Sequence, residues 1–237
     1  MSSDWFEATV LDGRMATPNG RLLTLEVPDW PGCEAGQHVD VRLTAEDGYQ
    51  AVRSYSLATT GPSAQLELAV DRLPDGEVSP YLVDDIRAGD QVEVKGPIGG
   101  YFVWRPTQSE PVQLIAGGSG VVPLTAMARA HRDVGATSEL RLLYSVRTPA
   151  YAYYAEELAG MANLRLDWVY TLAGPEGWTG SLGRVNAATV AESVLSADLS
   201  PTVYVCGSNG FVELVASLLV RAGHEPARVR TERYGGT

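Results

Sequence analysis

Two separated segments of the chain carry residues suited to binding phosphate and a flat aromatic ring. The first, Arg53-Ser54-Tyr55-Ser56, alternates a cation, hydroxyls and an aromatic ring, as a β-strand would. Arginine binds phosphate oxygens through its planar fork, and tyrosine can stack on a heteroaromatic ring. The second, Gly117 to Pro123, directly follows the apolar run Val112 to Ala116. A glycine turn between a strand and a helix lets the backbone approach a phosphate closely.

A third segment, Gly76-Glu77-Val78-Ser79, lies just before Pro80. We expect Ser79 to cap a helix over residues 79–85, with Pro80 at its first position. The free N–H groups at such a helix start form an anion site. A plain structural interpretation also exists for two of these segments: Arg53 to Ser56 as an ordinary half-exposed strand, and residues 76–85 as a simple capped helix.

In the second half of the chain, polar residues follow the ends of apolar runs, where ligands bind to parallel sheets. Ser145 and Arg147 follow one run, Thr171 the next, and Cys206-Gly207 ends another. In parallel-sheet folds that bind dinucleotides, the adenine ribose lies at the end of the second strand, so Ser145 and Arg147 are placed to contact a phosphate on its 2′ position. Arg147 can equally be a solvated loop charge, and Cys206 a small core residue.

Two patterns of secondary structure must position these residues. Before residue 106, six short runs with turns between them predict strands, and beyond it strands alternate with helices. The predicted strands of the first half are 6–11, 22–27, 38–43, 52–58, 66–70 and 92–95. Those of the second half are 112–116, 140–145, 164–170, 203–206 and 228–231, with helices over 123–134, 151–159, 187–195 and 210–222. The chain is therefore predicted to have two domains: an antiparallel six-stranded β-barrel over residues 1–106 and an α/β domain with a parallel sheet over residues 110–237.

Composition narrows the classes of function. The formal net charge of −11 disfavours nucleic acid, and no apolar run reaches the roughly 20 residues that span a membrane. Cys33 and Cys206 are the two cysteines, too few for a four-thiolate iron–sulfur cluster, and no metal site is expected. With no disulfide framework and no secretory signal at the N-terminus, we expect a cytoplasmic protein.

Together, the order and spacing of these motifs resemble the ferredoxin–NADP reductase family. That family carries FAD on one domain and binds a nicotinamide dinucleotide on the other. The resemblance covers roughly residues 5 to 235 and includes an Arg-x-Tyr-Ser strand, a Gly-x-x-Ser helix start, Gly-x-Gly-x-x-Pro and Cys-Gly. Gly96 to Phe102 resembles the segment that closes the family's barrel, and Glu232-Arg233-Tyr234 its Glu-x-aromatic ending.

The resemblance implies roles for particular residues. For FAD, the implied contacts are Arg53 to the pyrophosphate, Tyr55 to the isoalloxazine, Ser56 near flavin N5, with Ser54 beside them and Gly76, Glu77, Val78 and Ser79 at the diphosphate. For the nicotinamide nucleotide they are Gly118, Gly120, Ser145, Arg147, Thr171, Arg184, Cys206 and Gly207. Ser56, Cys206 and Tyr234 would act at the reacting rings, which would meet in a cleft between the domains.

The implied activity is a flavin-dependent NAD(P)H oxidoreductase. Hydride would pass from nicotinamide C4 to flavin N5, and electrons would continue to a separate acceptor such as an iron–sulfur redox protein. NADPH is favoured over NADH, although Thr171-Leu172 stands where phosphate-selective members often have a second arginine, and Arg184 is the candidate substitute. Two alternatives are a flavin reductase that supplies reduced free flavin to a partner enzyme, and a regulatory module that binds a nucleotide without turnover.

Overall fold

The computed structural model describes residues 5–234. The chain forms two compact units that divide between Trp104 and Arg105. The first unit contains an antiparallel sheet and the second a parallel sheet. None of the helices within residues 5–234 is long and apolar enough to cross a membrane.

The first unit is the predicted six-stranded antiparallel β-barrel. Its strands are β1 (Phe6–Thr17), β2 (Gly20–Glu26), β3 (His38–Thr44), β4 (Gln50–Ser56), β5 (Gln65–Asp71) and β6 (Gln91–Ile98). They are ordered β4-β3-β6-β1-β2-β5, and every pair is antiparallel. The sheet closes where Leu57, just after β4, bridges to Leu68 of β5. Closure removes the open sheet edges that would otherwise invite pairing with other chains.

The barrel core is apolar and is covered by a short helical segment. Alternating residues of the strands point inward, and they are joined by Leu82 of a π-helical turn (Tyr81–Asp85) and by Ile86, which follows the turn. Arg21 on β2 holds this turn, because its guanidinium donates hydrogen bonds to the carbonyls of Ile86 (2.9 Å) and Val83 (3.3 Å). The predicted helix over 79–85 is thus present, mostly as a π-helical turn.

The second unit is the predicted parallel α/β domain. Its strands are β7 (Val112–Gly117), β8 (Leu140–Val146), β9 (Arg165–Tyr170), β10 (Thr202–Ser208) and β11 (Val229–Tyr234). Their order is β11-β10-β7-β8-β9, and all pairs are parallel. The helices are α1 (Val121–Asp133), α2 (Ala155–Ala159), α3 (Ala187–Ser193) and α4 (Asn209–Arg221). Every residue of the central strand β7 is buried, as expected for a parallel sheet packed on both faces.

One predicted helix of this unit forms only in its second half, and another is too long. Residues 151–159 do not form one helix, because Tyr154 adopts a left-handed conformation (φ 57°) just before α2. The neighbouring Tyr153 is buried, and its N–H donates to the hydroxyl of Tyr144 at 3.1 Å. The helix predicted over 187–195 ends at Ser193, since the N–H of Leu195 donates instead to the buried Gln113 side chain at 2.9 Å. Tertiary contacts override helix propensity in both places.

Candidate functional site

Strand β4 presents a ring and a cation on one face. It pairs with β3 in a continuous register without a bulge, so Arg53 and Tyr55 share a face and Ser54 and Ser56 lie on the other. Tyr55 packs against the barrel core, and burial raises the pKa of its hydroxyl. The Arg53 side chain remains 51% exposed. A seated aromatic ring beside an accessible guanidinium fits a ligand that combines an aromatic ring with a phosphate, as FAD does.

The two serines of the motif are separated from that face. Ser54 is exposed and donates a hydrogen bond to the Asp40 carboxylate at 2.6 Å, on the outside of the sheet. Ser56 lies opposite His38 of β3, on the same side as Ser54. Residues next to each other in the sequence therefore do not form one cluster, and a contact from Ser54 to the ligand that Arg53 binds is not supported by this geometry.

The guanidinium of Arg53 is already engaged by an acidic residue. Its Nη2 lies 2.7 Å from Glu77 Oε2, while the hydroxyl of Tyr49 donates to Glu77 Oε1 at 2.6 Å. The hydrogen bond from Tyr49, followed by that from Arg53, lowers the pKa of Glu77. Both carboxylate oxygens of Glu77 are thus occupied. Arg53, which the sequence predicts to bind a phosphate, is paired with a carboxylate of its own domain.

The loop Gly76 to Ser79 is closed by its own serine. Ser79 is buried, and its Oγ accepts the N–H of Leu73 at 3.0 Å. The predicted N-cap is therefore wrong, because the hydroxyl that would cap the helix holds the loop instead. A Cβ on Gly76 would lie 2.8 Å from this Oγ. Val78 is fully buried in the core, so a ligand can reach it only through the main chain.

A groove of about 860 Å³ on the barrel unit adjoins this ion pair. Tyr49 and Glu77 form part of its lining, together with the aromatic side chains of Trp5 and Tyr81. Its charged lining residues are one arginine and four glutamates, namely Arg42, Glu7, Glu46, Glu77 and Glu93. Glu93 pairs with Arg42, so the groove as a whole is acidic.

The α/β unit contains the predicted glycine turn between β7 and α1. A single 3₁₀ turn, Gly118–Gly120, leads directly into α1 at Val121. Gly118 has φ +57°, a conformation that favours glycine, and a Cβ on Gly120 would collide with the carbonyl oxygen of Cys206. The first turn of α1 carries no acidic residue. The turn therefore packs closely against β10 and offers a helix start compatible with an anion.

A pocket of about 390 Å³ gathers four of the predicted nucleotide residues at the carboxyl ends of the strands. They are Ser145, Arg147, Thr171 and Arg184, and no acidic residue lines the pocket. Arg147 lies over the ring of Tyr151, with 5.6 Å from its Cζ to the ring centroid. Within residues 5–234, neither Arg147 nor Arg184 pairs with a carboxylate. This charge arrangement fits a phosphate.

Cys206 lies beside Glu232, an acidic residue to which the sequence assigned no role of its own. Cys206 on β10 is opposite Glu232 on β11 in the parallel register. Burial, then the negative charge of Glu232, raise the pKa of the Cys206 thiol, so the sulfur stays protonated at neutral pH. Burial also raises the pKa of Glu232 to about 7. The Glu-x-aromatic ending contained the signal, but the strand register is needed to place its carboxyl next to the thiol.

Phe211 is a second residue that sequence reasoning missed. Its ring occupies the space that a Cβ on Gly117 or on Gly207 would need, with closest distances of 2.8 and 2.6 Å. It also lines the pocket that contains Arg147 and Arg184. Glycine at position 207, next to Cys206, thus has a steric reason, since a side chain there would overlap the Phe211 ring. No spacing in the sequence reveals the contact, because it depends on β7 and β10 being neighbours.

Tyr234, predicted to cover the flavin, contacts the glycine turn within its own unit. Its hydroxyl donates to the carbonyl of Gly117 at 2.6 Å, and 38% of the residue is exposed. Its contact with a flavin stays a prediction. Gly235 and Gly236, which complete the predicted C-terminal motif, lie outside the described residues.

Comparisons with known proteins agree with this division of the chain. Residues 9–103 match the oxidoreductase FAD-binding domain, and residues 114–217 match the oxidoreductase NAD-binding domain. Ferredoxin–NADP reductase B of Sorangium cellulosum is 33% identical, over 97% of this chain and 97% of its own length. The reductase subunit of glycine betaine monooxygenase from Chromohalobacter salexigens is 30% identical over 85% of this chain, which spans only 56% of that subunit.

A solved structure shows the same fold. The flavohem-like FAD/NAD-binding domain of nitric oxide dioxygenase from Vibrio cholerae superposes with a TM-score of 0.87, covering 98% of this chain and 100% of that domain at 24% identity. The near-complete match to a reductase of similar length and the two consecutive domain matches point the same way. The chain therefore belongs to the ferredoxin–NADP reductase-like family.

Proposed function

We propose that the protein is an FAD-dependent NAD(P)H oxidoreductase that passes electrons to a separate acceptor. The observation that carries this proposal is the acid-free pocket at the carboxyl ends of β8 and β9, where Arg147 and Arg184 converge. It lies in a domain of the NAD-binding type and follows a domain of the FAD-binding type. Two of the relatives that the chain matches are named as reductase components of oxygenase systems.

The protein's residues bind, orient and shield. FAD, when bound, supplies the acceptor for the hydride of the nicotinamide and can release electrons one at a time. Tyr55 offers its ring to the flavin and Arg53 its guanidinium to the diphosphate. The Gly118–Gly120 turn lets the backbone approach the pyrophosphate of the nicotinamide nucleotide. Cys206 presents a neutral thiol at the end of β10, and the buried carboxyl of Glu232 beside it favours that neutral state.

The preferred nucleotide in this proposal is NADPH. Arg147 and Arg184 lie in one pocket with Ser145, and together they can bind the two negative charges of a ribose 2′-phosphate. Arg184 thus supplies the charge missing at Thr171-Leu172. NADH has no group for either arginine, so it gains little from the pair.

The proposed acceptor is a separate redox or oxygenase protein. The Chromohalobacter relative is named as the reductase subunit of a monooxygenase, and a Ralstonia relative as the reductase component of naphthalene dioxygenase and salicylate hydroxylase systems. A flavin reductase that releases its product remains the second candidate. The ion pair between Arg53 and Glu77 favours it, because a flavin phosphate must displace a carboxylate in order to bind.

Anaerobic reduction tests the proposal. Protein purified with excess FAD removed is mixed with NADPH, and the flavin absorbance is followed. We expect a yellow protein that bleaches and then transfers electrons to an oxygenase component or ferredoxin from the same organism. A colourless protein that oxidises NADPH only with added free flavin supports the flavin reductase. If neither bound nor added flavin is reduced by NADPH or NADH, the proposed oxidoreductase function is wrong.

A further inference from the structure

Glu77 lies where a flavin phosphate is expected to bind. The motif around Arg53 and the loop around Gly76 are the two segments that the family resemblance assigns to the diphosphate. In the structure, the guanidinium of Arg53 contacts a carboxylate from that loop at 2.7 Å. Two oxygens of one planar anion then accept from an arginine and from the hydroxyl of Tyr49, much as two oxygens of a phosphate would.

Glu77 is held in place by a second contact besides its ion pair with Arg53. Tyr49 fixes the carboxylate from the other side at 2.6 Å, so Glu77 is held by two elements, the loop before β4 and β4 itself. The adjoining groove adds Glu46, Glu7 and Glu93 to the acidic side, with Arg42 already paired to Glu93. No further unpaired cation from the groove lining is available there to compensate an arriving phosphate.

We propose that Glu77 is an internal competitor for the flavin phosphate, which sets how weakly the flavin is held. Flavin binds in exchange for Glu77: the phosphate takes Arg53, and the carboxylate and Tyr49 are released together toward solvent. Because Glu77 and Arg53 are both about half exposed, the released carboxylate is readily solvated, and the exchange is reversible. This inference rests on the proposed function and adds that the flavin dissociates and rebinds.

Titrating the flavin-free protein with FAD, followed by quenching of flavin fluorescence, measures this exchange without any turnover. Glu77→Gln keeps the size and polarity of the side chain but removes its charge. We expect it to bind FAD about five- to tenfold more tightly than the parent, the scale of an exposed ion pair plus the lost repulsion. Tyr49→Phe, which removes one of the two contacts that hold Glu77, should shift the affinity in the same direction by a smaller factor.

Two further variants identify the cause. In the Arg53→Ala background, Glu77→Gln should change the affinity much less than it does in the parent, because the ion pair is gone and only the repulsion between Glu77 and the phosphate remains. Glu26→Gln removes the same charge from an exposed position on β2 and should leave FAD affinity unchanged. If it tightens binding as much as Glu77→Gln does, the effect is one of net charge, and the inference is wrong.

The outcomes separate this inference from the proposed function. Unchanged or weaker binding by Glu77→Gln overturns the internal competitor and makes Glu77 a direct flavin ligand or a bystander, whereas NADPH reduction of the parent protein can still succeed. Failure of NADPH and NADH to reduce bound FAD overturns the oxidoreductase, whatever the affinities are. Circular dichroism and thermal unfolding of each variant establish that a changed affinity does not come from misfolding.

Discussion

The two units of this protein surround the arginines that we propose to bind phosphate in opposite ways. On the barrel unit, Arg53 is bound to Glu77, and the adjoining groove is acidic. On the α/β unit, Arg147 and Arg184 share a pocket that no acidic residue lines. The first arrangement favours a ligand that takes the place of the Glu77 carboxylate on Arg53. The second favours a ligand that binds to two arginines without displacing a carboxylate of the pocket lining. Affinity for one phosphate ligand therefore does not predict affinity for the other, even within one chain.

The largest expected effect is a loss of NADPH binding when both pocket arginines of the α/β unit are removed. Arg147→Ala combined with Arg184→Ala should weaken NADPH binding by about 100-fold, since each charge-assisted hydrogen bond contributes on the order of 1.5–3 kcal/mol and the two are partly redundant. NADH binding should change less than about threefold by the same reasoning. Calorimetric titration with both nucleotides measures the ratio.

Arg221→Ala is the matched control, because it removes one positive charge from the exposed end of α4, away from the residues that line the pocket. It should leave both affinities unchanged. Equal losses for NADPH and NADH in the double variant would mean that the pocket does not bind a 2′-phosphate.

A second test extends the contrast to two carboxyl groups. Hydrogen bonds lower the pKa of the exposed Glu77, whereas burial raises that of Glu232 to about 7 from 4.5. A carboxyl whose pKa rises on folding binds protons more tightly in the folded state, so the free energy of unfolding falls as pH rises from 4.5 to about 7 and is level above that.

Glu232→Gln should remove this loss. The difference in the free energy of unfolding between the variant and the parent should therefore grow, in favour of the variant, by about 2 kcal/mol from pH 4.5 to pH 8. This is somewhat less than the free energy that corresponds to the whole pKa shift of Glu232. Urea unfolding at several pH values measures the difference. Glu192→Gln, on the exposed side of α3, should show no such dependence, and a pH-independent difference for Glu232→Gln would contradict the assigned burial.

The smallest of these effects is expected at Arg53. Arg53→Ala should weaken FAD binding about tenfold, less than the double variant weakens NADPH, because the loss of the cation also removes its pairing with Glu77 in the flavin-free protein. Arg14→Ala on β1 serves as the control for charge. A loss of 100-fold or more would show that Glu77 does not compete with the flavin phosphate. The proposed phosphate sites of the two units would then be alike in how strongly they depend on their arginines.

Much of the fold could be predicted from the sequence, because strands with regular turns and alternating strands and helices leave strong periodic signals. The meeting of Ser145 and Arg147 with Thr171 in one pocket follows from the rule that parallel strands end at one edge of a sheet. The pairing of Arg53 with Glu77 could not be predicted, since it joins residues 24 positions apart through a loop conformation that Ser79 closes. The left-handed conformation of Tyr154 could not be predicted either, since it accompanies a hydrogen bond from the buried Tyr153 to Tyr144 that no local sequence pattern reveals.

The contact of Phe211 with two glycines has a consequence for how this site can change over generations. Its ring fills the space that an added methyl group at position 117 or 207 would need. Alanine at either position is expected to be tolerated only after the side chain at 211 has become smaller, so the order in which substitutions arise matters. A library built at these three positions should contain viable pairs in which the substitution of the glycine fails on its own, and the route to such a pair should begin with the change at residue 211.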